Sequence, residues 1–82
     1  MMSPLTSRQR DILTVIAAYR CTHDYAPSVR EIGQTARVKG AQSLDIAMRG
    51  LVDAGWLTRT PHVARSLVIT PAGYAALREA VA

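Results

Sequence analysis

Gln42, Asp45, Ile46 and Arg49 follow one another at spacings of three, one and three residues, which on an α-helix gathers them on one side. Leu44, Ala47, Met48 and Leu51 supply the opposite, apolar stripe. Glutamine can pair with adenine, aspartate can accept from the cytosine amino group, and arginine can grip guanine. Ile46 is the telling member, because an exposed isoleucine gains little in water yet packs well against a thymine methyl. Ser43 and Lys39 lie at the margin of the same face. The chemistry on offer is the reading of base edges in a major groove. A solvated helix face has a similar mixture of residues, so the surrounding elements must decide.

Two helix-start boxes precede that face. Thr6-Ser7-Arg8-Gln9 and Ser28-Val29-Arg30-Glu31 each place a hydroxyl where it can accept the third helical amide, while Gln9 or Glu31 reaches back. The spacing of Ile12, Leu13, Ile16 and Tyr19 predicts a first helix over about Ser7 to Thr22. A second starts after Ser28 and runs to about Ala36, burying Val29, Ile32 and Ala36. Ala26 precedes Pro27 and is pushed out of helical angles. Arg37-Val38-Lys39-Gly40 reads as a turn with Val38 inward, and Gly40 is free to take unusual angles. The third helix spans about Ala41 to Ala54, with Gly55 as a left-handed cap.

Beyond Trp56 the period changes. Leu57–Thr60 and Arg65–Thr70 suit two antiparallel strands, with Leu67 and Ile69 on one face and Pro61-His62-Val63-Ala64 as the turn. Pro71 opens a last helix, on which Tyr74, Leu77 and Val81 form a stripe. The expected fold is mainly α with a small β-hairpin: a winged helix-turn-helix, three helices plus a wing, with an extra C-terminal helix. Residues 1–82 form one domain, with 5–70 as core and wing and 71–82 as the final helix.

Contacts that position such a protein on a duplex would come from elsewhere. Ser28 and Arg30 at the start of the second helix are candidates for phosphate, as are Ser7 and Arg8 at the start of the first. Arg59, His62 and Arg65 in the wing could reach backbone or minor groove. Each of these cations could equally be an ordinary surface charge.

The bulk properties agree without deciding. The 82 residues carry a net charge of +4, and nine of their ten cations are arginine, the better partner for phosphate and guanine. Cys21 is the sole cysteine, which excludes an intrachain disulfide. Cys21 and His23 are too few for a zinc site. No phosphate-binding glycine loop or nucleophile–base set is visible. The expectation is a non-enzyme without cofactor or metal. Neither a secretory signal nor a membrane span is visible, so the expected location is the cytoplasm, on a bacterial or phage nucleoid.

Leu5-Thr6-Ser7-Arg8-Gln9, then Ile12-Leu13 and Ile16, then Tyr25-Ala26-Pro27-Ser28-Val29-Arg30-Glu31-Ile32-Gly33 resemble the amino-terminal DNA-binding domain of the LexA repressor family. The similarity continues through Leu51 and Gly55-Trp56-Leu57 into Leu67-Val68-Ile69 and covers about four-fifths of the chain. It implies a winged helix-turn-helix that binds double-stranded DNA as a dimer, with its third helix in the major groove. The family's base-contacting positions fall on Gly40, Gln42, Ser43, Asp45 and Ile46. These identities depart from the family's usual ones, so the resemblance does not extend to the SOS operator. The family's peptidase domain, with its Ala-Gly cleavage site and Ser/Lys dyad, has no counterpart in these 82 residues, and self-cleavage is not carried over. Thr70-Pro71-Ala72-Gly73 is similar to the start of the post-wing helix in MarR-type regulators.

The functional expectation is a sequence-specific regulator of transcription, a repressor. The alternative is a winged-helix module that docks on another regulator or on polymerase. A homodimer is expected, formed by this domain or on the DNA. Tyr74, Leu77 and Val81 are either its interface or part of the chain's own core.

Overall fold

The computed structural model describes residues 5–60, 63 and 65–81, and for Ala41 and Val81 the backbone alone. Six elements follow in order: α1 Ser7–Thr22, α2 Val29–Thr35, α3 Ala41–Asp53, β1 Leu57–Thr58, β2 Val68–Ile69 and α4 Pro71–Val81. Together they make a winged helix-turn-helix with an added helix. No helix among the described residues is long and apolar enough to cross a membrane.

Both capping boxes form. The Thr6 hydroxyl accepts the Gln9 amide at 3.1 Å, and the Gln9 side chain accepts the Thr6 amide at 3.0 Å. Ser28 and Glu31 repeat the exchange at 3.1 and 3.2 Å. An N-cap of this kind is worth about 1 kcal/mol of helix stability.

The helix ends are closed as tightly as the starts. At the end of α2 the Val38 amide reaches the Gly33 carbonyl at 3.0 Å, the long bond of a Schellman turn. That turn puts Arg37 at φ +58°, a left-handed conformation. At the end of α3, Gly55 fills the same role at φ +81°, and the Trp56 amide bonds the Leu51 carbonyl at 3.0 Å. Gly40, at φ +86°, starts α3 without a side-chain cap.

One core runs through the molecule. Ile12, Leu13 and Ile16 of α1 meet Ile32 of α2, Leu44, Met48 and Leu51 of α3, and Leu57, Leu67 and Ile69 of the hairpin. Each fully buried aliphatic side chain contributes roughly 1.5 to 3 kcal/mol. Helix α1 lies at the centre, against the other three helices and β2. With Leu44, Met48 and Leu51 turned inward, the opposite face of α3 is left to solvent.

The wing pairs Leu57 with Ile69 and Thr58 with Val68, antiparallel. Leu67 and Ile69 are buried together, as the alternation predicts. The ladder is shorter than the expected strands, because a side chain takes over beyond Thr58. The Ser66 hydroxyl accepts the Thr60 amide at 3.0 Å and turns its own proton to the Thr60 and Val63 carbonyls. Arg65, at φ +57°, bends the strand away.

Helix α4 is seated by Thr70. Its hydroxyl donates to the Gly55 carbonyl at 2.6 Å and accepts the Gly73 amide at 3.0 Å. Gly73 is buried against the Trp56 carbonyl, where a Cβ would collide, and 2.8 Å would separate that Cβ from the Ile69 side chain. This close approach sets the rotation of α4, so Ala76 is buried and Leu77 and Ala80 pack against the core. The expected stripe is therefore split. Leu77 belongs to the inner face, Tyr74 is exposed, and the Val81 side chain lies outside the described residues.

Candidate nucleic-acid interface

The outer face of α3 stands as the periodicity placed it. Gln42, Asp45, Ile46 and Arg49 are all exposed, and Ser43 is half-buried at the margin. Ile46 is 63% exposed, whereas Leu44, Met48 and Leu51 of the same helix are buried and Val52 is 39% exposed. Asp45 and Arg49 lie one turn apart and form an ion pair at 3.2 Å. The face is thus locally neutral, with one apolar side chain among hydrogen-bonding groups. Lys39 and Gly40 are exposed in the turn that leads into it.

The turn, α3 and the wing enclose a groove of about 640 Å³. Arg30 of α2, Gly40, Asp45 and Arg59 of the wing all line it. Residues expected from separate segments are therefore brought to one concavity. A smaller hollow of about 140 Å³ adjoins it, lined by Ser28, Val29, Arg59 and Arg65 among others. Arg59 borders both. Among the described residues, neither Arg30 nor Arg59 enters an ion pair. Two uncompensated guanidiniums flanking a groove favour an anionic backbone there.

The start of α2 offers less than its sequence suggested. The Ser28 amide is given to the Glu31 carboxylate, and the Glu31 amide to the Ser28 hydroxyl. The cap thus consumes two of the donors expected for a phosphate. Ser7 and Arg8 are exposed on α1, outside the residues that line the groove. His62 lies outside the described residues.

Arg65 behaves differently from the other wing cations. Its guanidinium reaches back to Glu31 at 2.7 Å, and to the Tyr19 hydroxyl and the Ala26 carbonyl at 3.2 Å each. It also lies 4.7 Å from the centre of the Tyr25 ring, within cation–π range. Hydrogen bonds from Tyr19 and Ser28, reinforced by the Arg65 charge, hold the Glu31 carboxyl at about 2, below its ordinary 4.5. Tyr19 is pushed above its usual value by burial and then by Glu31. Tyr19 also stacks on His23 with ring centres 3.9 Å apart. Local spacing gives no sign of this cluster, because Tyr19 and Arg65 are 46 residues apart. Thr70, which joins α3 to α4, escaped for the same reason.

Nothing among the described residues resembles a metal centre. No group of three or more His, Cys, Asp or Glu side chains converges, and Cys21 is a free, exposed thiol.

Comparison with known proteins places this architecture among relatives. The sequence profile of a family described as "LexA DNA binding domain" matches residues 2–66. A LexA repressor of Mycobacterium bovis (strain BCG / Pasteur 1173P2) is 40% identical over 75 residues, covering 92% of this chain and 32% of its own. A LexA repressor of Anaeromyxobacter dehalogenans (strain 2CP-1) is 34% identical over 76 residues, covering 93% of this chain and 33% of its own. The chain spans about a third of the length of these curated relatives.

Proposed function

This chain belongs to the LexA DNA-binding domain family, and we propose that it represses transcription by binding double-stranded DNA in a sequence-specific way. Helix α3 enters the major groove. Gln42, Asp45, Ile46 and Arg49 read base edges, with Lys39, Gly40 and Ser43 at the approach. Arg30 and Arg59 hold the phosphate backbone on either side, and Ser7, Arg8 and His62 extend that contact. Two copies occupy paired half-sites as a homodimer, with exposed Tyr74 and its neighbour Val68 as the apolar part of the shared surface.

The observation that carries this reading is Ile46, at the centre of a polar face and far more exposed than Val52, the other outward aliphatic side chain of α3. An interaction surface for a protein would surround such a residue with further apolar area. Here its neighbours are Gln42, Asp45 and Arg49, the side chains suited to adenine, cytosine and guanine. Selection of bound sites from a random duplex pool tests the reading, and a defined recurring half-site is the expected result. Gln42→Ala and Ile46→Ala should then each cost roughly 1 to 3 kcal/mol and relax preference at particular base pairs. Equal loss on every duplex would remove α3 from the base-reading role.

A further inference from the structure

We propose that Arg65 is a positioning residue, which latches the wing to the junction of α1 and α2 and thereby holds Arg59 over the backbone. This rests on the DNA-binding reading above and assigns Arg65 a part in it other than phosphate contact.

The geometry is specific. Nη1 carries two hydrogens, and both are used, one on the Tyr19 hydroxyl and one on the Ala26 carbonyl. Nη2 meets the Glu31 carboxylate at 2.7 Å, and the guanidinium lies against the Tyr25 ring. These partners come from α1, from the loop before α2 and from α2 itself, so a single side chain ties the wing to all three. Each contact alone is half-exposed and weak. Four on one rigid fork define a direction, which a lysine ammonium would not do.

The backbone supports the same assignment. Arg65 stands at φ +57°, where glycine would be at ease. Arg37 stands at a similar angle without such contacts among the described residues, so it is the four side-chain contacts of Arg65 that set it apart. Arg59 lines the hollow that Arg65 also lines, and the Ser66 hydroxyl beside Arg65 holds Thr60, the neighbour of Arg59. Freeing Arg65 therefore unseats the segment that carries Arg59.

Three changes to the latch, together with Arg59→Gln, test this. Arg65→Gly removes the fork and suits the backbone, Arg65→Lys keeps the charge without the fork, and Glu31→Gln keeps the cap without the ion pair. Without DNA, Arg65→Gly should raise amide hydrogen exchange at Thr60 and Val63 and leave α3 unchanged. On the selected duplex, Arg65→Gly should lower affinity about tenfold, Arg65→Lys should fail to restore it, and Glu31→Gln should act in the same direction. The slope of log affinity against log salt should fall by no more than about one, the share of the Arg59 contact that a released wing loses, and Arg59→Gln should lower it no further in the Arg65→Gly background. Arg59→Gln should cost less in the Arg65→Gly background than in the parent, because a released wing no longer presents Arg59. Losses that add in full between Arg65→Gly and Arg59→Gln, in affinity and in slope, would make Arg65 an independent phosphate ligand and overturn the latch. Unchanged wing exchange would overturn it as well. If the parent binds no duplex, the DNA reading fails, and the exchange measurement still decides the latch.

Discussion

Asp45 holds Arg49 at 3.2 Å on the outward face of α3, so the arginine of the reading face is paired while the protein is free. Both side chains are largely solvated, and an exposed pair one turn apart contributes only about 0.3 to 0.5 kcal/mol to folding. Its larger effect falls on DNA. A carboxylate near phosphates repels every duplex, and only a sequence that offers it a donor repays the approach. Asp45→Asn should therefore bind unrelated duplex more tightly than the parent and narrow the gap between specific and non-specific affinity. Fluorescence anisotropy on both duplexes, at matched salt, measures this. Unchanged non-specific affinity would mean that Asp45 does not face the phosphates.

Two substitutions at left-handed or crowded positions should shift stability in opposite directions. Arg37 ends α2 at φ +58°, and Arg37→Gly should stabilise the fold by about 0.5 to 1 kcal/mol, the left-handed penalty less the added chain entropy. Gly73 lies in a helix, where alanine would ordinarily help. Its Cβ would strike the Trp56 carbonyl, and Gly73→Ala should cost about 1 to 3 kcal/mol through overpacking. Thermal melts of the two variants give both signs.

Acid stability should pass through Glu31. Its carboxyl sits at about 2 in the folded chain, against an ordinary 4.5. Between those values the unfolded chain takes up a proton that the folded chain refuses, so stability falls as pH falls. The contribution is complete above about pH 5 and is lost progressively towards pH 2. Glu31→Gln keeps a capping side chain, as Gln9 does in α1, but cannot titrate. Its melting temperature should therefore fall less steeply with acid than that of the parent. Parallel curves would assign the acid limb to other carboxylates.

Helix α4 should prove necessary to the fold, with its outer face separable from that need. Leu77 packs on the core and Ala76 is buried, so a chain ending at Thr70 should lose cooperative melting, and Leu77→Ala should cost about 2 kcal/mol. Tyr74 is exposed, and Tyr74→Glu should leave the melt unchanged while shifting a dimer to monomer in sedimentation. If the parent sediments as a monomer, pairing has to occur on the DNA, and Tyr74→Glu should then reduce cooperativity there.

The helices were legible in the sequence because their signals are local. Thr6 with Gln9, Ser28 with Glu31, Pro71 at a helix start and Gly55 at a helix end each act within one turn, and all appear where expected. The buried stripe of α3 was legible for the same reason, since periodicity is a property of one helix. The strands are shorter than their sequence predicts, because side-chain alternation continues past Thr58 whereas the ladder yields there to the Ser66 hydroxyl. The roles of Arg65, Thr70 and Gly73 depend on partners outside their own elements. Their spacing carries no record of those partners. Tyr74 and Leu77 shared an apparent stripe, but the rotation that divides them is set by the contact of Gly73 with Trp56.

The Thr70 hydroxyl has one further consequence. It grips the Gly55 carbonyl, where α3 leaves off, and the Gly73 amide, where α4 begins. The exit of α3 and the entrance of α4 are therefore one joint, which the Thr70 amide reinforces by donating to the Trp56 carbonyl at 3.1 Å. A load applied to the outer side of α4, by a second copy or any other body resting there, would bear through that joint on the trailing end of α3. In the proposed complex, the tilt of α3 in its groove and the seating of α4 would be two ends of the same lever.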